Sequence, residues 1–119
     1  MIKFNFDYDK ENDGLFIFKQ NVSSRSSVEL GNFVYDYDDK GQIVGIEVLS
    51  AKETISDTVT QNITSKILEN IKDVHVSFKK VKNLIMVKIF ISVNPEVLKE
   101  EIVSSIQVPN IGTRSPASC

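Results

Sequence analysis

The sequence predicts a single α+β domain: an antiparallel β-meander followed by a helix, a β-hairpin and a C-terminal helix, with the helices packed on the sheet. Three observations predict it. Residues 33–50, FVYDYDDKGQIVGIEVLS, are two apolar runs joined by Asp38-Asp39-Lys40-Gly41. Alternating apolar runs recur on either side, at residues 2–8 and 73–81. Between and after them, apolar residues recur every four positions, at Ile55, Val59, Ile63 and Ile67 and again at Leu98, Ile102 and Ile106, as on one face of a helix.

The central stretch reads as a hairpin. Asp, Asp, Lys and Gly suit a type I turn followed by a residue at positive φ, a conformation that only glycine takes without a Cβ clash. A three-residue loop with a bulge at Gly41 pairs Asp38 with Gln42, Tyr37 with Ile43, Tyr35 with Gly45 and Val34 with Ile46. One face then carries Val34, Val44, Ile46 and Val48, and the other carries Phe33, Tyr35, Tyr37, Ile43 and Leu49. Both faces are apolar, so both need covering, by helices or by a second chain. Phe33, Tyr35, Tyr37, Ile43 and Leu49 are the candidate interaction surface.

Taken in order, residues 2–8 place Ile2, Phe4, Phe6 and Tyr8 on one face and Lys3, Asn5 and Asp7 on the other, a half-buried strand. Residues 9–14 are a polar turn ending in Gly14. LFIFK at residues 15–19 is a second strand, and QNVSSRSS at 20–27 is a polar loop or edge that leads to a short strand at 28–30. Ser50-Ala51-Lys52-Glu53 has the spacing of a capping box. The helix after it has Thr54, Thr58, Thr60 and Thr64, poor helix formers, in its first turns, so a restart at Asp57 is an alternative. Lys82-Asn83 is a two-residue turn joining the strand at 73–81 to the one at 84–93. Asn94-Pro95-Glu96 reads as the N-cap and first turn of the last helix, which Pro109 stops. The domain spans residues 1–108, and 109–119 is expected to be a disordered tail.

The first half resembles a small prokaryotic family known only as a domain of unknown function, whose members are short β-meander proteins. The residues that carry the resemblance are YDKENDGLFI at 8–17, Glu29, and DYDDKGQIVGIEVLSA at 36–51. It covers residues 2–52 and implies a meander fold and no established activity. Some short members look like the antitoxin half of toxin–antitoxin pairs. Nothing is implied for residues 53–108.

The chain has 119 residues, enough for one core, with 14 basic and 16 acidic residues and a formal charge of −2. That balance carries no electrostatic footprint for nucleic acid. The single cysteine, Cys119, is the last residue, so no internal disulfide forms. MIKFNFDYD has no apolar signal core, and no apolar run is long enough to span a bilayer. A cytoplasmic protein is expected.

Asp36, Asp38, Gly41, Ile43 and Glu47 fall at positions 1, 3, 6, 8 and 12 of an EF-hand-like loop. Lys40 at position 5 and strands in place of flanking helices argue against a calcium site. The acidic residues Asp7, Asp9, Glu11, Asp13, Asp36 and Glu47 fit acid–base chemistry only if two of them converge with separated pKa values. His75 is the only histidine and reads as a surface residue. Lys79, Lys80, Lys82 and Lys88 form a small basic hairpin tip. No cofactor, metal or catalytic residue is expected. The reading is a non-enzymatic protein-interaction module, antitoxin-like or self-associating, with a homo-oligomer or another protein as its partner. The alternatives are a nucleic-acid-binding or small-ligand-binding accessory protein, or a small carboxylate-based enzyme.

Overall fold

The structure, a computed structural model, describes residues 1–59 and 61–109. Of the tail expected at 109–119, Pro109 is the last residue of β8 and residues 110–119 lie outside the described residues. In chain order the elements are β1 (Ile2–Asp9), β2 (Gly14–Phe18), β3 (Ser26–Leu30), β4 (Phe33–Tyr37), β5 (Ile43–Val48), α1 (Ala51–Thr58), α2 (Ser65–Glu69), β6 (Ile71–Val81), β7 (Leu84–Val93) and β8 (Ile102–Pro109). All the strands pair antiparallel in one sheet of order β3-β4-β5-β2-β1-β6-β7-β8, which curls into a half-barrel. The helix-packed α+β fold expected from the sequence is therefore corrected to a mostly-β one.

Two further corrections follow from the topology. The first half is not a simple meander. β5 returns beside β2, so β2 to β5 form a Greek-key arrangement. The C-terminal helix is not formed. Asn94 does cap one turn, its carbonyl accepting from Val97 N at 2.8 Å and Leu98 N at 3.0 Å, and its side chain accepting from Glu96 N at 3.1 Å. The chain then extends into β8, paired with β7 from Leu84↔Pro109 to Ile91↔Ile102. A repeat of four is two strand periods as well as about one helical turn, so Ile102 and Ile106 share a face in either form. Ile102, Val103, Ile106 and Val108, with two serines between them, favour the strand.

The same ambiguity breaks the first helical stripe. Instead of one helix, α1 ends at Thr58 and α2 begins at Ser65, with Val59 and Thr64 extended and Ile63 buried between the helices. Ser56 stabilises the break, donating to Lys52 O at 2.6 Å and accepting from Ile63 N at 2.9 Å. Thr64, not Asp57, caps the restart by accepting from Ile67 N at 3.3 Å. The capping box at Ser50 is not made either. Ser50 sits at φ 47 with no side-chain cap. Asp13, from the β1–β2 turn, takes over: its carbonyl accepts from Ala51 N at 2.8 Å and its carboxylate lies 3.3 Å from Lys52 N.

The hairpin turn forms as the sequence indicates. Gly41 takes φ 76, Gly41 N donates to Asp38 O at 3.1 Å, and Asp38 Oδ1 accepts from Lys40 N and Gln42 N at 2.9 Å each. Beyond Tyr37↔Ile43 the expected register fails by one residue. A second bulge leaves Val44 without a partner on β4, so Asp36 lies opposite Gly45 and Tyr35 opposite Ile46. The bulge gathers Ile43, Ile46 and Val48 onto the same buried side as Phe33, Tyr35 and Tyr37. Val34, Asp36 and Glu47 face the other way and are half-buried.

The core lies inside the curl. Leu15 and Ile17 of β2, Val74 and Val76 of β6 and Val87 and Ile89 of β7 meet Ile55 and Leu68 of the helices there. α1 spans the mouth of the curl. Asn32 Nδ2 donates to Thr54 Oγ1 at 3.2 Å on one side, and Ser104 Oγ of β8 donates to Thr58 Oγ1 at 2.9 Å on the other.

Two stability predictions follow. A Cβ on Gly45 would lie 2.9 Å from Asp36 Oδ2, so Gly45→Ala is expected to cost about 1–3 kcal/mol in urea unfolding. An Asp36→Ala background is expected to recover much of that loss in a double-mutant cycle. Asp13→Ala removes the cap on α1 and the Tyr8 hydroxyl's partner (2.7 Å), and is expected to cost about 1–2 kcal/mol by the same measurement.

Candidate functional site

The five residues marked as a candidate interaction surface occupy two environments. Phe33, Tyr35, Tyr37 and Ile43 lie in the protein's own core, with Tyr35 and Tyr37 each 1% exposed. Leu49 is half-buried, its amide donating to Asn32 O at 2.8 Å. Phe33 and Tyr35 stack with ring centroids 6.0 Å apart. Burial pushes the Tyr35 hydroxyl well above the usual tyrosine range, and the neighbouring Tyr37 adds to it. Burial also raises Tyr37, whose hydroxyl is enclosed with no hydrogen-bond partner among the described residues.

The carboxylates weighed from the sequence are held in local structure. Asp38 closes the β4–β5 turn, and Asp13 caps α1 and accepts from the Tyr8 hydroxyl at 2.7 Å. Asp36 accepts from Ser27 Oγ at 2.5 Å. Asp9 accepts from Asn12 Nδ2 at 2.8 Å and from Asn12 N at 3.2 Å, and these bonds, the side-chain one first, hold its carboxyl below the usual carboxylate value. Tyr8 is raised, first by burial and then by its bond to Asp13. Among the described residues, no group of three or more His, Cys, Asp or Glu side chains is placed to hold a metal ion. His75 is half-buried on β6, opposite Lys3 of β1 and Phe90 of β7.

The sheet leaves two edges. β3 is short and exposed along most of its length, with Glu29 near its end. β8 is longer, and no side chain between Ile102 and Pro109 is charged. Val103, Ser105 and Gln107 of β8 are exposed, Val103 by 39%. Ser104, 2% exposed, points inward to Thr58. Among the described residues, nothing pairs with the outer edge of β8. Sequence reasoning missed this strand because it took Ile102 and Ile106 for a helix face. The alternation of Ile102, Ser104, Ile106 and Val108 with Val103, Ser105 and Gln107 was the signal that marks it.

These edges belong to a chain that matches known sequences on both sides of its middle. Residues 5–52 match the model of a family described as a protein of unknown function, DUF2283. That stretch runs from β1 to the start of α1, so it takes in the β4–β5 hairpin and Asp13 with the amides it caps. Over 109 residues the chain is 29% identical to an uncharacterised protein of Methanocaldococcus jannaschii, covering 88% of this chain and 89% of that one. Over 67 residues it is 36% identical to a protein of Methanosarcina mazei whose printed name is "Putative hypoxanthine phosphoribosyltransferase", covering 56% of this chain and 50% of that one. No solved structure matches the chain. The matches fit a prokaryotic family of unknown function.

The buried tyrosines set an alkaline limit. Both folded-state pKa values lie above the ordinary 10.0, so their contribution to stability is intact below pH 10 and is lost as the pH climbs towards the folded values. Thermal melts are expected to fall off above pH 10. Tyr37→Phe, which removes an unpaired buried hydroxyl, is expected to leave stability at pH 7 unchanged or raise it by about 1 kcal/mol, and to soften that fall-off.

Proposed function

We propose that this protein is a non-enzymatic interaction module that self-associates edge to edge through β8. The observation that carries the reading is the character of that edge: an extended strand rich in Ile and Val, with no charged side chain from Ile102 to Pro109. Sheet edges in monomeric proteins are ordinarily guarded by charges, bulges or proline, because unpaired N–H and C=O groups recruit other strands. Proline stands here only at the very end of the strand.

Antiparallel pairing of β8 with its copy obeys two-fold symmetry and continues the sheet across both subunits. A partner protein that adds a strand at the same edge, as an antitoxin-like role requires, uses the same backbone chemistry. The non-enzymatic part of the reading is supported by the engagement of Asp13, Asp36 and Asp38 in caps, turns and side-chain bonds. The transferase named for the Methanosarcina relative is not carried over, since the match spans half of that protein. Among the described residues no helix is long and apolar enough to cross a membrane. The lack of an internal disulfide supports a cytoplasmic setting.

Light scattering on a size-exclusion column tests the proposal. The wild-type chain is expected to run as a dimer. Val103→Lys combined with Ser105→Lys places like charges across the seam and is expected to give a monomer with an unchanged far-ultraviolet circular dichroism spectrum. A wild-type protein that stays monomeric at the highest concentrations used for structural work would sink the reading.

A further inference from the structure

The two ends of the curl differ in their side chains. At one end lie the β1–β2 turn and the helices, where Asp9, Glu11, Asp13 and Glu69 are mixed with Lys10, Lys52 and Lys66, and Lys10 pairs with Glu69 at 3.5 Å. At the other end the start of β1, the end of β2, the β4–β5 turn and the β6–β7 hairpin converge on a cleft of about 400 Å³. Ile43 and Ile85 of its lining are nearly fully buried, and Phe78 packs with its ring 6.2 Å from that of Phe4. Lys19, Lys40 and Lys80 also line it, and no residue of the lining is acidic. The Lys19 ammonium stands over the Phe4 ring, 5.6 Å from its centroid, which holds a positive charge beside the apolar wall.

The contrast with another hollow is informative. Near β7, a hollow of about 250 Å³ carries Lys72 and Lys99 together with Asp73, Glu100 and Glu101, so its cations are outnumbered by carboxylates. The lining of the cleft at the open end has cations and no acidic residue, Asp38 and Asp39 of the same turn lying outside it.

We propose that this cleft binds a small amphipathic organic acid, its apolar body against Ile43, Phe78 and Ile85 and its anionic head among Lys19, Lys40 and Lys80. A pocket of this size lined by apolar side chains with a few convergent polar groups is the usual form of a small-ligand site. The apolar wall selects against a bare inorganic anion, and the lysines select against a neutral amphipath. The proposal stands whether or not β8 pairs with a copy, because the cleft is built from other strands and turns.

Titration of the full chain with sodium octanoate, followed by calorimetry and by amide shifts at Gly41 and Ile85, tests it. Octanoate is expected to bind at least about tenfold more tightly than octanol or inorganic phosphate, the discrimination one charge-assisted contact supplies. Lys19→Gln with Lys80→Gln is expected to weaken octanoate by about tenfold or more and to leave octanol unchanged. Lys40→Glu, on an exposed turn, is expected to weaken octanoate while the melting temperature holds, which separates loss of binding from loss of fold. Equal binding of octanol, equal binding of phosphate, or no binding of octanoate would each overturn the proposal.

Discussion

The stagger of β1 is the constraint on which the rest of the molecule depends. Ile2–Phe4 pair with Val74–Val76 of β6, and Asn5–Asp9 pair with Gly14–Phe18 of β2, so no described residue of β1 is paired on both sides. The two half-sheets are therefore joined through successive parts of one strand, offset along its length. A twisted sheet that is also offset in this way curls rather than lying flat. Phe4, 2% exposed at the point of exchange, fills the inside of the bend and touches elements of both halves, with Phe78 of β6 on one side and Lys19 beyond β2 on the other.

Curling turns a sheet into a container, and the two ends are closed differently. At one end the chain inserts α1 and α2, and α1 is anchored by Asp13, Asn32 and Ser104, which come from three separate parts of the sheet. These bonds tie the mouth to the β1–β2 turn, to the β3–β4 turn and to β8, so α1 acts as a plug held from three sides. At the other end no helix enters among the described residues, and the lysine-lined cleft remains. The same curl leaves β3 and β8 as edges. The exposed edge at β8 and the lysine-lined cleft are thus two consequences of one curled sheet.

The β4–β5 hairpin shows how one extra residue changes what a surface is for. In an uninterrupted register its apolar residues divide between two faces, and a partner is needed to cover the second. The bulge at Val44 shifts Gly45 to Val48 by one position, so the aliphatic residues join the aromatic ones inside the curl. The outer face keeps Val34, Asp36 and Glu47, which tolerate water. The aromatic residues are therefore covered by the protein's own core, while Val103 on the uncharged edge at β8 is exposed.

What the sequence by itself determined is local. The Asp38–Gly41 turn, the alternation in β1 and β6 and the Asn94 cap rest on contacts within a few residues, where side-chain chemistry decides the backbone, and the Lys82-Asn83 turn forms with its positive φ at Lys82 rather than at Asn83. Only the tertiary structure decided the rest. A spacing of four at Ile55–Ile67 and at Leu98–Ile106 satisfies a helix and a strand alike, and the choice fell to whether β7 offered a free edge and whether the mouth of the curl offered room for one helix or two. The cap from Asp13 to α1 and the shared cleft of Lys19, Lys40 and Lys80 join residues about 20 to 60 positions apart. Such pairings are settled by the burial of the whole core, and nothing in the neighbouring sequence announces them.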